Sequence, residues 1–185
     1  INKALDGVDE MSKYVDALLV INNQRLVEIY GDLDFINAFA KADDTLSTAA
    51  QSISELITAD GYMNLDFHDV DTTLRNGGAA IISTGFGEGE NRVTMAIHDA
   101  LQSPLLKNRD IYTSKKLLFN LYINPKAEQK FTMNEMRDFD EFVSGISDVD
   151  VIWGVAYDES LGDRVKVTIL ASGFDITIRD EEKNM

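Results

Sequence analysis

Between residues 35 and 56 the apolar side chains Phe35, Phe39, Ala42, Leu46, Ala49, Ile53 and Leu56 return at alternating steps of four and three. That is the period of a helix with one apolar face, and it predicts a single amphipathic helix over about residues 34–59. At about 1.5 Å per residue it is roughly 38 Å long, with Asp60-Gly61 as its stop, which is enough to connect two domains. Ahead of it, the apolar run at residues 15–21 ends in Asn22-Asn23 and predicts a buried strand followed by a loop. Behind it the pattern predicts a strand over 79–84, a helix over 92–101, a strand over 116–123 and a helix over 134–146. In that last helix Met136, Phe139, Val143 and Ile146 form the apolar stripe.

Two further strands are predicted over 149–157 and 164–171, divided by the polar turn Asp158-Glu159-Ser160-Leu161-Gly162-Asp163. In the second of these, Val165, Val167 and Ile169 alternate with Arg164, Lys166 and Thr168, so one sheet face is expected to be buried and the other wet or charged. Trp153, flanked by Ile152 and Val155, is expected to pack on the sheet. The fold class is therefore α+β: a long central helix followed by a two-layer domain of a four-stranded sheet with helices on one face.

Composition narrows the partners. With 44% apolar residues over 185 positions the chain can bury a core. Seventeen basic against thirty-two acidic residues give a formal net charge of −15, which disfavours nucleic acid and anionic membranes. The same charge opposes self-association over about 8 to 10 Å unless cations screen it, so assembly is expected to depend on cations. There is no cysteine, hence no disulfide or thiolate metal site. His68 and His98 have no metal-ligand spacing. No apolar run reaches the roughly 20 residues of a membrane span, and the start Ile1-Asn2-Lys3 has neither initiator Met nor signal-peptide core, so the chain is expected to begin mid-protein.

The densest chemistry lies in Gly61-Tyr62-Met63-Asn64-Leu65-Asp66-Phe67-His68-Asp69-Val70. Asp66 and Asp69 are three apart at a helix start and share a face, with Asn64 beside them. On spacing alone, helix capping explains both carboxylates. The functional alternative is that they orient and deprotonate a water, with a cation or polarised water offsetting their mutual repulsion. Phe39 and Asp43, four apart on the long helix, offer an aromatic surface beside a carboxylate able to accept the paired N1–H and amino donors of guanine. The bland alternative is a stripe residue next to a solvated one. Gly85-Phe86-Gly87-Glu88-Gly89-Glu90 is spaced G-x-G-x-G and carries two carboxylates, so it is expected to be a tight strand-to-helix turn and not a phosphate loop.

The decapeptide closely resembles the catalytic loop of the FtsZ family, the tubulin-like bacterial cell-division GTPases, whose form there is G-x-M/I-N-x-D-F-A-D-V. Phe39-Ala40-Lys41-Ala42-Asp43-Asp44, Ser83-Thr84-Gly85-Phe86-Gly87-Glu88-Gly89-Glu90 and Ser103-Pro104-Leu105-Leu106 also resemble family segments, in the family order. The family's glycine-rich phosphate loop, G-G-G-T-G-[ST]-G, is not in these residues, so the chain is expected to be the C-terminal portion. The resemblance implies a remnant of the α/β GTP-binding domain at 1–33, the connecting helix at 34–60, a C-terminal GTPase-activating domain at 61–179 with catalytic loop 61–70, and a frayed tail at 180–185. It implies Asn64, Asp66 and Asp69 as catalytic residues acting on GTP held by the adjacent subunit of a head-to-tail homopolymer, and Asn23, Phe39 and Asp43 as guanine contacts. It further implies GTP or GDP with Mg2+ in the full-length protein and a monovalent cation at the acidic loop. Division proteins are expected to bind a tail beyond this chain, in the cytoplasm at midcell. His68 stands where the family usually has alanine, and Asn22 where it often has proline.

Two other classes fit the residues. Asp66, Asp69 and Asp71 could serve one cation in a self-contained metal hydrolase, or the acidic surface could dock a basic partner without chemistry.

Overall fold

Helix periodicity and strand alternation produce a mixed sheet sandwiched between two layers of helices. The computed structural model describes residues 2–21, 35–103, 106 and 111–174. In chain order the elements are α1 (Asn2–Met11), β1 (Ala17–Leu19), α2 (Phe35–Thr58), β2 (Gly61–Met63), α3 (Phe67–Leu74), β3 (Gly78–Gly87), α4 (Arg92–Leu101), β4 (Lys116–Ile123), α5 (Met133–Ser144), β5 (Asp150–Tyr157) and β6 (Val165–Phe174). Short 3-10 turns at Ile111–Thr113 and Glu159–Leu161 complete them.

The sheet has six strands in the order β1-β3-β6-β4-β5-β2, not the expected four. The four long strands are those the alternation predicts. The additions are short edge strands: β1 runs parallel to β3, and β2 runs antiparallel to β5. Each has three residues; β2 is too short for a period to register in the sequence, while β1 falls within a run expected to be a strand. The expected strand at 15–21 is thus trimmed to Ala17–Leu19.

The helices also cover both faces of the sheet, where one was expected. On the first face, α4 and α5 pack Val93, Ala96, Ile97, Phe139 and Val143 against Ile81, Leu117, Phe119, Leu121, Val167 and Ile169. The predicted stripe of the 134–146 helix is realised here, with Trp153 edge-on to Phe139 at 5.7 Å between ring centroids. On the second face, Ala49 and Leu56 of α2, Val70 of α3 and Leu65 form a smaller apolar cluster with Ile82, Leu118 and Leu170. The predicted wet face of β6 is therefore buried: Lys166 is 8% and Thr168 0% exposed.

Polar residues survive on that second face because α2 brings partners. Lys166 Nζ pairs with Glu55 Oε2 at 3.1 Å and Asp158 Oδ2 at 3.0 Å, and sits 4.2 Å from the Tyr122 ring centroid. Thr84 Oγ1 lies 3.1 Å from Thr168 Oγ1 and 3.4 Å from Ser52 Oγ. Burial pushes the Tyr122 hydroxyl up to about 12. Leu46, expected on the apolar stripe, is exposed, whereas Ala49, Ile53 and Leu56 of the same stripe join the cluster on the sheet.

β3 runs through Gly87, so Gly85-Phe86-Gly87 is strand and the turn is confined to 88–91. A Cβ at Gly85 would come within 2.3 Å of Ala96 O, and one at Gly87 would overlap Arg92 O. These glycines let α4 lie directly on the strand. At the start of α4, Arg92 is 2% exposed and bonds Glu135 Oε1 at 2.6 Å and the carbonyls of Gln129 and Asp163.

Candidate functional site

Two apolar anchors fix the acidic loop. Leu65 is 6% and Val70 4% exposed, and both enter the cluster under α2 and α3. Gly61 allows β2 to meet β5, since a Cβ there would fall 2.1 Å from Val155 O. Gly154, whose added Cβ would lie 2.7 Å from Leu65 Cγ, makes room for the first anchor. With residues 65 and 70 pulled inward, the intervening segment turns outward, and Asn64, Asp66 and His68 are exposed while Asp69 is half-buried.

Asp66 is the N-cap of α3. Its Oδ1 accepts from His68 N at 2.7 Å and Asp69 N at 3.1 Å, and Asp69 Oδ2 accepts in return from Asp66 N at 2.9 Å. This is a reciprocal capping box with aspartate in both places. The capping read from the spacing is therefore present, and it brings Asp66 and Asp69 together. Because it uses Oδ1 of Asp66 and Oδ2 of Asp69, each carboxylate keeps a second oxygen. Capping and an outward-facing chemical role are compatible in this geometry. Asn64 sits in the same exposed loop, two residues before the cap.

Asp71 lies on another course. It is bound to Arg75, with Arg75 Nη2 at 2.7 Å from Asp71 Oδ1 and Nε at 3.0 Å from Oδ2. Those hydrogen bonds and the Asp71 charge, with Asp16 adding to them, raise the Arg75 guanidinium above its usual value. Among the described residues no group of three His, Asp or Glu side chains is placed to hold a metal ion. No described helix is long and apolar enough to cross a membrane.

Of the guanine-contact candidates, Asn23 lies outside the described residues. Phe39 is within α2, its side chain outside what is described, and Asp43 is exposed on the same helix. Pattern reading overlooked two aromatic neighbours of the acidic loop: Tyr62 is 79% and Phe67 69% exposed. Phe67 precedes Val70 by three and Leu74 by seven, a spacing that places it on the buried face, so the sequence carried no sign of its exposure.

Comparison with known proteins agrees with this architecture. The C-terminal domain of the FtsZ family matches residues 78–175. The "Cell division protein FtsZ" of Porphyromonas gingivalis is 53% identical over 175 residues, which is 94% of this chain and 38% of that protein. Among solved structures, "FtsZ dimer, empty" from M. jannaschii superposes with a TM-score of 0.77 at 34% identity, covering 92% of this chain and 49% of that one. Bacillus thuringiensis TubZ shares the fold, with a TM-score of 0.74 at 12% identity over 95% of this chain and 50% of that one. The chain thus spans half or less of the length of these relatives. With a family match over more than half its residues, carried on a sheet and helices that superpose on a solved member, the chain belongs to the FtsZ family, within which it corresponds to the C-terminal domain and the segment preceding it.

Proposed function

We propose that this chain is the C-terminal portion of a cell-division GTPase that assembles head to tail, and that its loop 61–70 completes the GTP-hydrolysing site of the adjacent subunit. The observation that carries the reading is the exposure of Asn64 and Asp66 at the start of α3, with half-buried Asp69 joined to Asp66 in the capping box, while Leu65 and Val70 hold the loop from behind. Carboxylates that serve a site in their own domain would point into it. Exposed Tyr62 and Phe67 on either side of Asp66 offer the apolar contact area that a docking subunit needs. The M. jannaschii neighbour is described as a dimer, which supports self-association.

In this mechanism the free oxygens of Asp66 and Asp69 accept hydrogen bonds from a water and draw off its proton as the oxygen attacks the γ-phosphorus. The bond from that phosphorus to the β–γ bridging oxygen breaks, and Asn64 fixes the water's orientation. In each subunit GTP or GDP and Mg2+ would be held chiefly by that subunit's own glycine-rich loop, with its own Asn23, Phe39 and Asp43 contacting guanine. A monovalent cation at the acidic loop would offset the two negative charges. The metal-hydrolase alternative loses Asp71 to Arg75. We place the working protein in the cytoplasm at midcell, with division proteins bound through a tail beyond this chain and neither nucleic acid nor inserted membrane as partner.

The test uses Asp66→Asn and Asp69→Asn in the full-length protein. Asparagine retains an oxygen that caps as well as aspartate does, so the helix stays while the charge goes. GTP turnover should fall at least about 100-fold with GTP binding retained. Turnover at the normal rate in both variants would overturn the reading.

A further inference from the structure

The helix that presents Asp66 and Asp69 is too short to hold itself. α3 has eight residues, whereas isolated helices below about 12 residues are marginal in water. Its N-terminus is secured by its own capping box, but that box fixes the carboxylates relative to the helix, not to the rest of the molecule. Leu65 and Val70 hold the loop against the sheet, and the other end of the helix sets its direction.

There, every late carbonyl has a donor. Asp71 O accepts from Arg75 N at 2.7 Å, and Leu74 O accepts from Gly77 N at 2.9 Å. The others are met by the sheet. Lys116 Nζ, from the first residue of β4, donates to Thr72 O at 2.6 Å and to Arg75 O at 3.1 Å. Ser172 Oγ, from β6 and 0% exposed, donates to Thr73 O. Thr73 Oγ1 in turn donates to Asp69 O at 2.9 Å, so the clamp runs back to an acidic residue one turn away. Gly77 is needed for this approach, since a Cβ on it would lie 3.0 Å from Ser172 Cβ, and Gly173 N closes the corner by donating to Gly77 O at 2.6 Å. A lysine ammonium at a helix C-terminus also meets the negative end of the helix dipole.

We propose that Lys116 and Ser172 are positioning residues for the acidic loop: they clamp the C-terminus of α3 to the sheet and so aim Asp69 and Asp66, roughly 5 and 10 Å away along the helix, at the neighbouring subunit. Neither touches the reacting atoms. The inference rests on the function proposed above. It concerns hydrolysis and not assembly, because the clamp lies under the helix and not on the exposed loop. Misplacement by about 1 Å at a reacting group costs up to about 100-fold in rate.

The test compares Lys116→Met, Ser172→Ala and Lys116→Arg with Asp66→Asn, all in the full-length protein. For Lys116→Met, kcat for GTP hydrolysis should fall at least about fivefold, with KM for GTP and the amount of sedimented polymer unchanged. Ser172→Ala should fall in the same direction. Lys116→Arg, which retains a cationic donor, should recover to within about twofold of the parent. Amide exchange at His68 and Asp69 should accelerate in Lys116→Met, a readout independent of nucleotide. If Lys116→Met hydrolyses at the parent rate while Asp66→Asn is dead, the positioning role is overturned and the proposed function stands. Loss of polymer in proportion to turnover also overturns it, since that is general destabilisation. If Asp66→Asn hydrolyses normally, the proposed function fails and takes this inference with it.

Discussion

Lys166 of β6 and Glu55 of α2, 111 positions apart, are joined at 3.1 Å beneath the long helix. The pair ties α2 to the sheet nine residues before Asn64, and Asp158 shares the same ammonium. Replacing Lys166 by Met leaves two carboxylates without their counter-charge. Their side chains keep 32% and 23% of their exposure, so water relieves part of the loss. We expect Lys166→Met to lower unfolding stability by about 2 kcal/mol, read from the urea midpoint. An unchanged midpoint would mean that the pair contributes nothing.

Arg92 is a different case, because it is closed off from water. Its side chain is 2% exposed and that of its partner Glu135 10%. Arg92→Met strands a buried carboxylate and should cost about 3–5 kcal/mol, while the double variant Arg92→Met/Glu135→Met should regain a large part of that in the same unfolding measurement. A double variant less stable than Arg92→Met would contradict this account.

These two networks also mark where the sequence could and could not be read. The helix Arg92–Leu101 and the strand Lys116–Ile123 follow from local period alone and occur with the predicted bounds. The Asp66/Asp69 capping box was readable because its partners are three residues apart. Lys166 and Thr168 look like a solvent-facing row because the helix that buries them lies more than a hundred residues earlier. The clamp on α3 by Lys116 and Ser172 was hidden for the same reason, as both donors come from distant strands. Exposure of Phe67 contradicts its local spacing outright, and only the tertiary packing of Leu65 and Val70 accounts for it.

Acid should weaken the fold through Glu135. Burial acts to raise this carboxyl, but the hydrogen bonds from Arg92 and Thr132 outweigh it and hold the group below its ordinary value near 4.5. With a depressed native pKa, the unfolded chain binds more protons between the two values, so the stabilisation is full above about pH 4.5 and fades as pH falls through the native value. The stability gap between the parent and Glu135→Gln should therefore shrink steadily below that pH in urea titrations. A constant gap would show that the charge of Glu135 is not what Arg92 uses.

Gly61 fixes the start of the acidic loop. A methyl group there meets Val155 O and Ala156 Cα at 2.1 and 2.4 Å, so Gly61→Ala must push β2 off the edge of β5. We expect a loss of about 1–3 kcal/mol, with faster exchange of the Tyr157 amide, which donates to Asp60 O at 2.8 Å. Protection of that amide at the parent level would refute the displacement.

Phe67→Ser separates contact from folding. The ring is 69% exposed, so its removal should leave stability within about 0.5 kcal/mol. In the assembly proposed above it should raise the critical concentration of the full-length protein about tenfold or more, measured by sedimentation. Unaltered assembly would remove Phe67 from the contact.

The double burial of β6 restricts how this chain can vary. Along residues 165–172, Val165, Val167, Ile169 and Ala171 serve one layer of helices, and Lys166, Thr168, Leu170 and Ser172 the other. The strand carries two interleaved alphabets, one hydrocarbon and one largely of donors, and neither has a position open to neutral drift. Substitutions within one alphabet leave the other intact. A single inserted or deleted residue exchanges them, turning an ammonium toward the aromatic interior beneath α4 and α5 and a row of valines toward Glu55, so evolution here should proceed by replacement and almost never by a change of length.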